Sequence, residues 1–570
     1  MENEQIGDIF DEIADLLALK DANPFRIRSY RNAARTVRDE SRRIEEMVVE
    51  DGEDLTELPD IGDSTADKIK EIVDHGSCKR LEELRDEFPP NITELMEVPN
   101  LGPRKVKQLY DELNIANLDE LRKACEEGKV RELEGMGEKT EQNILSGIET
   151  VESTAGRILW QAAAEHVDTL GSYLDECKEV ERWEVAGSFR RRKETVGDLD
   201  ILVHAEDRET ASDRIAEHDS IHEIMSRGEE RLTVRLDSGL QVDFRFFEPE
   251  TFGSALMYFT GSKAHNIAVR KRAQERDWKL NEYGLLKDEE RLAGNDEESV
   301  YHRLNMAWVP PELRENRGEL EAAGNDELPT LIELEDVRGD LQSHTNATDG
   351  SATIEEMAKA ARDRGLEYLA ITDHSQAVSV AGGLDDEEIR EHADNIREVS
   401  DSIDGIELLA GVEVDVLKDG KLDLEEDTLA ELDWVVASMH YNLNLSEDRQ
   451  TDRLISAVKS GVVHCLGHPL NRVLGKRDPL PLDTDKLIEA CAEHGVYVEI
   501  NAQPDRLDLP DTHCKRALEA GVRFTFGTDA HKEAGLDFMR FAVGVARRGW
   551  LEANDVVNTL TLKQLREEII

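Results

Sequence analysis

The stretch GSFRRRKETVGDLDILV, residues 187–203, decides the fold of the middle of the chain and the chemistry expected there. Asp198 and Asp200 are one residue apart before an apolar run, and alternate residues of a β-strand point to the same face. Two carboxylates side by side repel each other unless cations lie between them, so the spacing predicts a divalent-metal site. A Gly-Ser pair, Gly187 and Ser188, is followed by three arginines and suits a polyphosphate. Metals beside a phosphate-binding turn are what phosphoryl transfer requires.

Mixed helix and strand patterns surround this stretch and extend over residues 151–250. Candidate strands are 183–187, 199–203, 231–235 and 240–247. Asp243 lies on the last of these between Val242 and Phe244, which makes it the natural third carboxylate of the predicted metal site. Residues 251–315 form a smaller mixed segment, and the polar stretch 310–330, bracketed by prolines, predicts a linker.

Residues 1–150 have a helical pattern in which one arrangement recurs three times, at 58–69, 98–109 and 133–144. Each copy has an apolar residue, a short turn that ends in glycine, and then a helix start. Such a turn exposes backbone N–H groups at a helix N-terminus, where a phosphate binds without lysine or arginine. The key glycines are Gly62, Gly102 and Gly137; a simple turn between helices is the alternative for any one copy.

From about residue 332 onward, short apolar strands alternate with amphipathic helices, which predicts a parallel sheet or barrel. The candidate strands are 366–372, 405–414, 434–439, 463–466, 496–501 and 523–527. Histidine, aspartate and glutamate recur at the predicted carboxyl ends of these strands. A barrel of alternating strands and helices keeps its active site at that end.

Composition adds a second prediction, because the 570 residues carry a formal net charge of −56 from 126 acidic and 70 basic residues. Disorder is the usual interpretation of such acidity, but apolar periodicity continues through most of this chain. An acidic, lysine-poor, globular composition predicts adaptation to molar salt, as in a halophile. Scattered cysteines without a CxxC pair predict reduced thiols in a cytoplasmic protein. No apolar run approaches the roughly 20 residues of a membrane helix, so no membrane partner is expected.

Four elements, GSFRRRKETVGDLD, QVDFRFF (241–247), YFTGSKAHNIAVR (258–270) and LNEY (280–283), resemble family X DNA polymerases, the group of DNA polymerase beta. The resemblance covers residues 1 to about 310. It implies that Asp198, Asp200 and Asp243 bind two Mg²⁺ or Mn²⁺ ions, with Asp243 beside the primer 3′-hydroxyl. One departure is Gln241, where the family member of best-known geometry has a basic residue. A solvated turn or a helix N-cap is the alternative for the aspartates.

The same resemblance implies nucleotide contacts. Ser188 and Arg191 would contact the triphosphate, and Gly187 and Gly197 would let the backbone approach it. The sugar pocket would be lined by Tyr258, Phe259 and Gly261. Asn266 would form a hydrogen bond with the incoming base, and Arg270 would contact the template strand. The alternatives are a solvated face for the arginine triplet and an ordinary salt bridge for Arg270.

The three glycine repeats resemble helix-hairpin-helix motifs, which implies DNA contacts at Gly62, Gly102 and Gly137, with Na⁺ or K⁺ as a further ligand there. Residues 24–80 resemble the small lyase domain of family X. Lys68 aligns with the lysine that forms a Schiff base with an abasic sugar. Neighbouring family lysines are absent, so a helix-surface lysine is the alternative.

The carboxyl-terminal segments DLQSHTNATDG (340–350), ITDHS (371–375), GVEVD (411–415), ASMHYN (437–442), CLGHP (465–469) and FGTDAH (526–531) resemble the PHP domain, a distorted (β/α)₇ barrel. The implied ligands of two or three Mn²⁺ or Zn²⁺ ions are His344, Asp349, His374, Glu413, His440, His468, Asp529 and His531; core histidines are the alternative. Gln342 departs from the usual D-L-H-x-H opening and is a poor metal ligand, which leaves the activity more open than the fold. His464 is interpreted as a structural histidine, and Asn501 and Arg506 as neighbours of the pocket.

The expected organisation is multidomain and of a bacterial or archaeal type. It comprises a lyase-like helical domain (1–85), helix-hairpin-helix fingers (86–150), an α+β nucleotidyltransferase palm (151–250), a thumb (251–315), a linker (316–331) and a PHP phosphoesterase domain (332–570). The expected function is gap filling in DNA repair, by base excision or end joining, on gapped, primer–template or 3′-ended DNA with dNTPs. The PHP domain would add a 3′–5′ exonuclease or 3′-end phosphoesterase, with abasic-site cleavage as an extension. The protein is expected to be a monomer that interacts with other repair proteins. The alternatives are a DNA-end-binding scaffold with a reduced or inactive PHP domain, and a template-independent transferase, against which Asn266 and Arg270 argue.

Overall fold

The structure is a computed structural model, which describes residues 3–20, 22–39, 44, 47–48, 55–58, 61–85, 87–89, 92–98, 101–154 and 157–568. The chain divides into two units. One comprises residues 1–155 with the short segment 475–478, and the other comprises residues 156–474 and 479–570. None of the described helices is both long and apolar enough to cross a membrane.

The first unit is helical over its described residues. Its helices are α1 (Asn3–Leu19), α2 (Pro24–Asp39), α3 (Asp63–His75), α4 (Lys79–Arg85), α5 (Pro103–Leu113), α6 (Leu118–Glu126) and α7 (Glu138–Thr154), with 3₁₀ turns at Leu55–Glu57, Ile92–Glu97 and Val130–Glu132. Apolar residues at helical spacing in α1, such as Ile6, Phe10 and Ile13, are fully buried and form the stripe that packs a helix onto its neighbours. The predicted helical region is confirmed.

The palm is built on a five-stranded sheet. Its elements are β1 (Ile158–Leu159), α8 (Trp160–Glu176), β2 (Arg182–Val185), α9 (Gly187–Arg190), β3 (Thr195–Val196), β4 (Asp198–His204), α10 (Arg208–Ile215), β5 (Ile221–Arg227), β6 (Arg231–Leu236) and β7 (Gln241–Phe246). The strand order is β2-β4-β7-β6-β5, and β1 pairs separately with β3. The four candidate strands all form. Strand β5 escaped the sequence analysis because it is an edge strand, exposed along nearly all its length, and lacks apolar alternation.

The thumb follows with α11 (Pro249–Thr260), α12 (Lys263–Gln274), β8 (Lys279–Asn281), β9 (Gly284–Lys287), β10 (Glu290–Ala293), α13 (Glu297–Arg303), a 3₁₀ turn (Pro311–Leu313) and α14 (Glu319–Asn325). Helix α14 falls in the stretch that was expected to be a linker. It is folded there, with Leu320 and Ala323 buried and Glu319 Oε1 2.6 Å from His265 Nδ1 in the thumb. Its charges pair with buried partners, which composition alone does not reveal.

The carboxyl-terminal half forms the predicted barrel. Seven parallel strands pair in chain order: β11 (Gly339–Asp340), β12 (Tyr368–Ile371), β13 (Glu407–Asp415), β14 (Trp434–Ser438), β15 (Cys465–Leu466), β16 (Tyr497–Asn501) and β17 (Phe524–Gly527). The helices are α15 (Ile354–Asp363), α16 (Asp386–Ser402), α17 (Glu426–Leu429), α18 (Glu447–Val458), α19 (Thr484–His494), α20 (Asp511–Glu519), α21 (Met539–Arg548) and α22 (Leu562–Glu568), with 3₁₀ turns at Leu334–Asp336, Glu533–Phe538, Ala553–Asp555 and Val557–Thr559. Leu341 N donates to Phe526 O at 3.2 Å, so the first and last strands nearly close the barrel.

The palm and the barrel share a packed interface within the second unit. The rings of Trp160 and Phe541 meet edge to face at 4.9 Å between centroids. Beside them, Glu312 accepts from Arg547 Nε at 2.7 Å and lies 3.1 Å from Arg192 Nε. Glu312 is buried, and the pKa of its carboxyl group is lowered because Arg192 and Arg547 outweigh the effect of burial. Apolar packing and paired buried charges therefore join the barrel to the palm and to the end of the thumb.

Candidate functional site

The palm brings the three predicted aspartates together on two adjacent strands. Strands β4 and β7 are parallel, and their register sets Asp200 beside Asp243 and Asp198 beside Gln241. Asp198 is exposed, Asp200 is half-buried and Asp243 is buried. Burial raises the pKa of Asp200, an effect that Arg245 opposes and that the two other aspartates reinforce. The carboxylates therefore form one negatively charged cluster at the end of the sheet.

Asp243 has several cationic and polar partners. Arg231 Nε donates to Oδ1 at 3.1 Å and its terminal nitrogen to Oδ2 at 2.6 Å. Thr233 Oγ1 donates to Oδ1 at 2.7 Å, and Arg245 donates to Asp243 at 3.2 Å and to Asp200 at 3.1 Å. Neither arginine belongs to the motif that predicts the aspartates, although strand alternation places Arg231 and Thr233 on one face.

The Gly-Ser turn lies against the aspartate cluster. Gly187 begins the short helix α9 with a φ of 67°, and a Cβ there would come within 3.2 Å of Asp200 Oδ2. The backbone at Gly187 therefore runs close to the carboxylate because it carries no side chain. Gly197 is similarly close to another chain segment, since a Cβ would lie 2.9 Å from an Arg157 nitrogen. Ser188 follows within α9.

The Arg191 side chain forms hydrogen bonds with other residues of the protein and is not free in solvent. Its guanidinium donates to Thr260 O and, at 3.1 Å, to Glu315, and its backbone carbonyl accepts from Arg548 at 2.7 Å. These bonds anchor the end of the Gly-Ser turn to the thumb and the barrel. The expected triphosphate contact of Arg191 stays a prediction.

The thumb residues assemble beside the same cluster. Asn266 Nδ2 donates to Tyr258 O at 2.7 Å, and the Arg270 guanidinium lies 6.0 Å from the Tyr258 ring centre. Gly261 ends α11 with a φ of 70°. Phe259 stacks on Arg245 at 4.2 Å, which connects the thumb to Asp200 and Asp243. Tyr258, Asn266 and Arg270 line one small cavity of the thumb.

The palm donor set fits divalent cations. Carboxylate oxygens are the ligands that Mg²⁺ prefers, usually one or two carboxylates together with substrate phosphates. Three neighbouring carboxylates, one of them with a raised pKa, are a concentration of negative charge that Arg231 and Arg245 neutralise only in part. Asp198, Asp200 and Asp243 would hold the ions.

The helical unit presents its repeat glycines at helix N-termini. Gly62 precedes α3 and Gly102 precedes α5, each in extended conformation and without a side chain that caps the helix. Gly137 accepts from the first turn of α7. At all three glycines a Cβ would meet open space, so the adjacent amides are accessible to a phosphate.

In the barrel, all eight predicted metal ligands converge. They lie at or beyond the carboxyl ends of the strands. Ligand atoms of His344, Asp349, His374 and His531 lie within 4.8 Å of one another, and so do those of His374, Glu413 and His440. Asp529 Oδ1 is 3.1 Å from His344 Nε2, and His468 Nε2 is 3.0 Å from Glu413 Oε1.

Glu413 is the centre of this cluster. It is buried, and its oxygens lie 3.0 to 3.7 Å from nitrogens of His344, His374, His440 and His468. Neither oxygen forms a hydrogen bond of normal geometry with a described residue. Donor atoms that face each other without hydrogen-bonding fit metal ions between them.

The charge state of the cluster supports the same conclusion. Burial lowers the pKa of His374, but Glu413 and Asp349 outweigh it and raise the value to about 11. Burial also lowers the pKa of His531, which its carboxylate neighbours raise to about 9. The carboxylates around His374 and His531 therefore favour a positive charge at this position.

Gln342 occupies the barrel interior next to this cluster. It is 1% exposed, and neither its amide oxygen nor its nitrogen has a hydrogen-bond partner among the described residues. A Cβ on Gly527 would meet both Gln342 and the carboxylate of Glu499, so these two polar side chains lie side by side. Glu499 in turn accepts from His468 N at 2.6 Å, a role that its position within a buried strand did not reveal.

Other residues support the cluster or lie outside it. Asn501 Nδ2 donates to Asp529 Oδ2 at 3.1 Å and borders the site as expected. Asp373 accepts from Thr345, Thr348 and His392 and so fixes the loop before Asp349. His464 accepts from Val435 N and stacks on Trp434, which is a structural role.

Comparisons with known families agree with these domains. The DNA polymerase beta palm matches residues 157–246 and the DNA polymerase beta thumb matches residues 255–315. A helix-hairpin-helix domain matches residues 1–78, a SAM-like helix-hairpin-helix tandem matches 77–150, and the PHP domain matches 340–503.

Among individual proteins, the DNA polymerase/3′-5′ exonuclease PolX of Bacillus subtilis is 35% identical over 569 residues, which is 99% of each chain. A probable phosphatase of Thermoanaerobacter sp. is 30% identical over 232 residues, 38% of this chain and 90% of its own length. A probable phosphatase of Acetivibrio thermocellus is 31% identical over 202 residues, 34% of this chain and 78% of its own length. The match along the full length, together with the palm, thumb and PHP domains, shows that this chain belongs to the family X DNA polymerases with a carboxyl-terminal PHP domain.

Proposed function

We propose that the protein fills short gaps in DNA during repair, by base excision or end joining, and trims 3′ ends with its barrel. The observation that carries the proposal is the register of β4 and β7, which sets Asp200 beside Asp243 against the Gly187 turn. This cluster has the arrangement needed to hold a primer end and a triphosphate together. Mg²⁺ or Mn²⁺ ions, when bound there, would stabilise charge on the phosphoryl oxygens.

In this proposal each palm and thumb residue has a defined task. Asp243 accepts the proton of the primer 3′-hydroxyl as that oxygen attacks the α-phosphate and pyrophosphate leaves. Ser188 and Arg191 hold the triphosphate, while Asn266 bonds the incoming base and Arg270 contacts the template strand. Positioning of this kind supplies much of the rate in phosphoryl transfer.

The barrel is proposed to act as a 3′–5′ exonuclease or 3′-end phosphoesterase, with cleavage at abasic sites as an extension. Its imidazole and carboxylate ligands suit Mn²⁺ or Zn²⁺, which would activate water for phosphodiester hydrolysis. His374 belongs to both groups of ligands, and Glu413 would help to hold an ion together with His374 and His440. The loss of a ligand at Gln342 leaves eight donors in the cluster.

A gapped-DNA assay tests both activities in one protein. With dNTPs, the wild-type protein should extend the primer across the gap; without dNTPs, it should shorten the primer from its 3′ end. In this proposal the protein acts as a monomer in the cytoplasm, and its DNA substrate contacts the helix-hairpin-helix repeats as well as the palm. Primers left unchanged under both conditions would contradict the proposal.

Lys68 is proposed as the nucleophile of an abasic-site lyase. It lies on α3, and its amine donates to Ser64 O at 2.6 Å and to Ser64 Oγ at 2.8 Å, 5.9 Å from the Tyr30 ring. Borohydride should trap a covalent complex with abasic DNA, and Lys68→Ala should remove it. Lys70→Ala, an exposed lysine of the same helix, is the matched control. Equal trapping by Lys68→Ala would exclude this role.

Adaptation to molar salt is proposed from the charge of −56. At about 1 M salt the screening length is about 3 Å, so repulsion among surface carboxylates is suppressed. Amide contacts at helix N-termini, with Na⁺ or K⁺ present, depend less on counterion release than lysine contacts do. Compactness by small-angle scattering and gapped-DNA binding by anisotropy should persist in molar KCl. Unfolding or loss of binding there would contradict the adaptation.

A further inference from the structure

The third aspartate of the palm is held by an arginine from a neighbouring strand. Arg231 on β6 reaches Asp243 with two nitrogens, at 3.1 and 2.6 Å from the two carboxylate oxygens. This paired geometry is the strong and directional form of a guanidinium–carboxylate bond. The Asp243 side chain is only 4% exposed, whereas that of Arg231 is 45% exposed. The arginine therefore reaches from the surface to a buried carboxylate.

The sheet register explains how Arg231 arrives there. Strands β6 and β7 are antiparallel, with Thr233 opposite Asp243 and Arg231 opposite Arg245. Alternate residues share a face, so Arg231 and Thr233 both lie on the face of Asp243, and Arg231 is its diagonal neighbour. Because β7 lies between β4 and β6, Asp243 is bounded by Asp200 on one side and by Arg231 on the other.

The other cation near Asp243 is shared. Arg245 donates to Asp200 at 3.1 Å as well as to Asp243 at 3.2 Å, and it stacks on Phe259. Gln241, the preceding residue on the same face of β7, carries no charge. Among the described contacts of this cluster, Arg231 alone binds both oxygens of Asp243.

We propose that Arg231 is a positioning residue for the polymerase reaction. By binding both oxygens it prevents rotation of the Asp243 carboxylate and holds one orientation of it toward the primer 3′-hydroxyl. Thr233 fixes Oδ1 from the same strand at 2.7 Å. This role rests on the proposed polymerase function. Arg231 would fix the orientation of the Asp243 carboxylate and would not itself contact the nucleotide.

Arg231→Gln tests this role in steady-state gap filling. A misplaced reacting group commonly costs about a hundredfold in rate, so kcat should fall by about ten- to a hundredfold. The KM for dNTP should change less than about twofold, because Gly187, Arg191 and Asn266 are untouched. Calorimetric titration of dNTP into enzyme with a dideoxy-terminated gapped DNA should likewise give a Kd within about twofold of the wild type, since no turnover occurs.

Two further variants separate positioning from folding. Arg235→Gln is the matched control, because Arg235 lies on the same strand and face, is 43% exposed and approaches Glu223 only to 3.9 Å; its kcat should stay at the wild-type value. The double variant Arg231→Gln with Gln241→Arg returns a guanidinium to the face of Asp243 and should recover about tenfold in kcat. Thermal denaturation should show one cooperative transition for every variant, with a lower Tm for Arg231→Gln because a buried carboxylate loses a cation.

The outcomes distinguish the role of Arg231 from the function itself. An unchanged kcat in Arg231→Gln, an equal loss in Arg235→Gln, or a double variant that gains nothing would overturn the role of Arg231. A wild-type protein that does not extend primers would instead overturn the proposed polymerase function.

Discussion

Asp200→Asn should abolish primer extension while leaving 3′ shortening of the primer intact. The substitution keeps the shape of the side chain but removes its charge at the centre of the aspartate cluster, between Asp198 on its own strand and Asp243 on β7. Metal ions contribute several kcal/mol to such reactions, and each 1.36 kcal/mol is tenfold in rate, so extension should fall by at least about a thousandfold. Single-nucleotide gap filling, followed by gel electrophoresis, measures this directly.

The control for Asp200→Asn is Asp237→Asn, in the exposed turn of the palm hairpin. Asp237 is 58% exposed and lies 3.4 Å from His222, six residues before Asp243 in the turn between β6 and β7. Its primer extension should equal that of the wild type. If Asp200→Asn retained extension, the assignment of the palm as the polymerase centre would be wrong.

Glu413→Gln should abolish 3′ degradation of DNA without slowing gap filling. Glu413 lies among four imidazoles in the barrel and, of the carboxylates that the structure describes, is the one that approaches His374, His440 and His468 together. The neutral amide offers one oxygen in place of two negatively charged ones, so the group formed by His374, Glu413 and His440 loses its carboxylate. Degradation should fall by at least about a hundredfold, the size often seen even when outer-shell partners of a metal are replaced.

The matched control is Glu407→Gln at the opposite end of β13. Glu407 forms a surface ion pair with Arg566, and exposed pairs contribute about 1 kcal/mol or less. Its nuclease rate should be unchanged. Metal content after dialysis, measured by mass spectrometry, should fall in Glu413→Gln and not in Glu407→Gln. Full nuclease activity in Glu413→Gln would place the hydrolytic centre elsewhere in the protein.

Local patterns were sufficient to predict most of the fold. Every candidate strand of the palm and barrel forms within a few residues of its expected position, because each is an apolar run flanked by turn residues. Strand β5 and helix α14 were missed for the opposite reason. Their sequences are polar, and it is tertiary partners, such as His265 for Glu319, that hold them in place.

The functional residues likewise divide into those that the sequence predicts and those that only the three-dimensional structure reveals. The aspartates and the barrel ligands belong to short motifs in which spacing alone indicates a shared face or strand end. Arg231 and Glu499 act on residues outside their own strands, and their contacts depend on register across the sheet, which a single sequence does not specify. The packing of Gln342 beside Glu499 likewise became visible only in three dimensions.

The interface between palm and barrel makes the folding of each domain depend on the presence of the other. Each domain completes the buried surroundings of the other, through Trp160 against Phe541 and through Glu312 shared by Arg192 and Arg547. A chain shortened before the barrel would leave these groups without partners, so removal of the barrel should destabilise the palm. Variants of the barrel ligands that spare this interface should, by contrast, leave the palm folded.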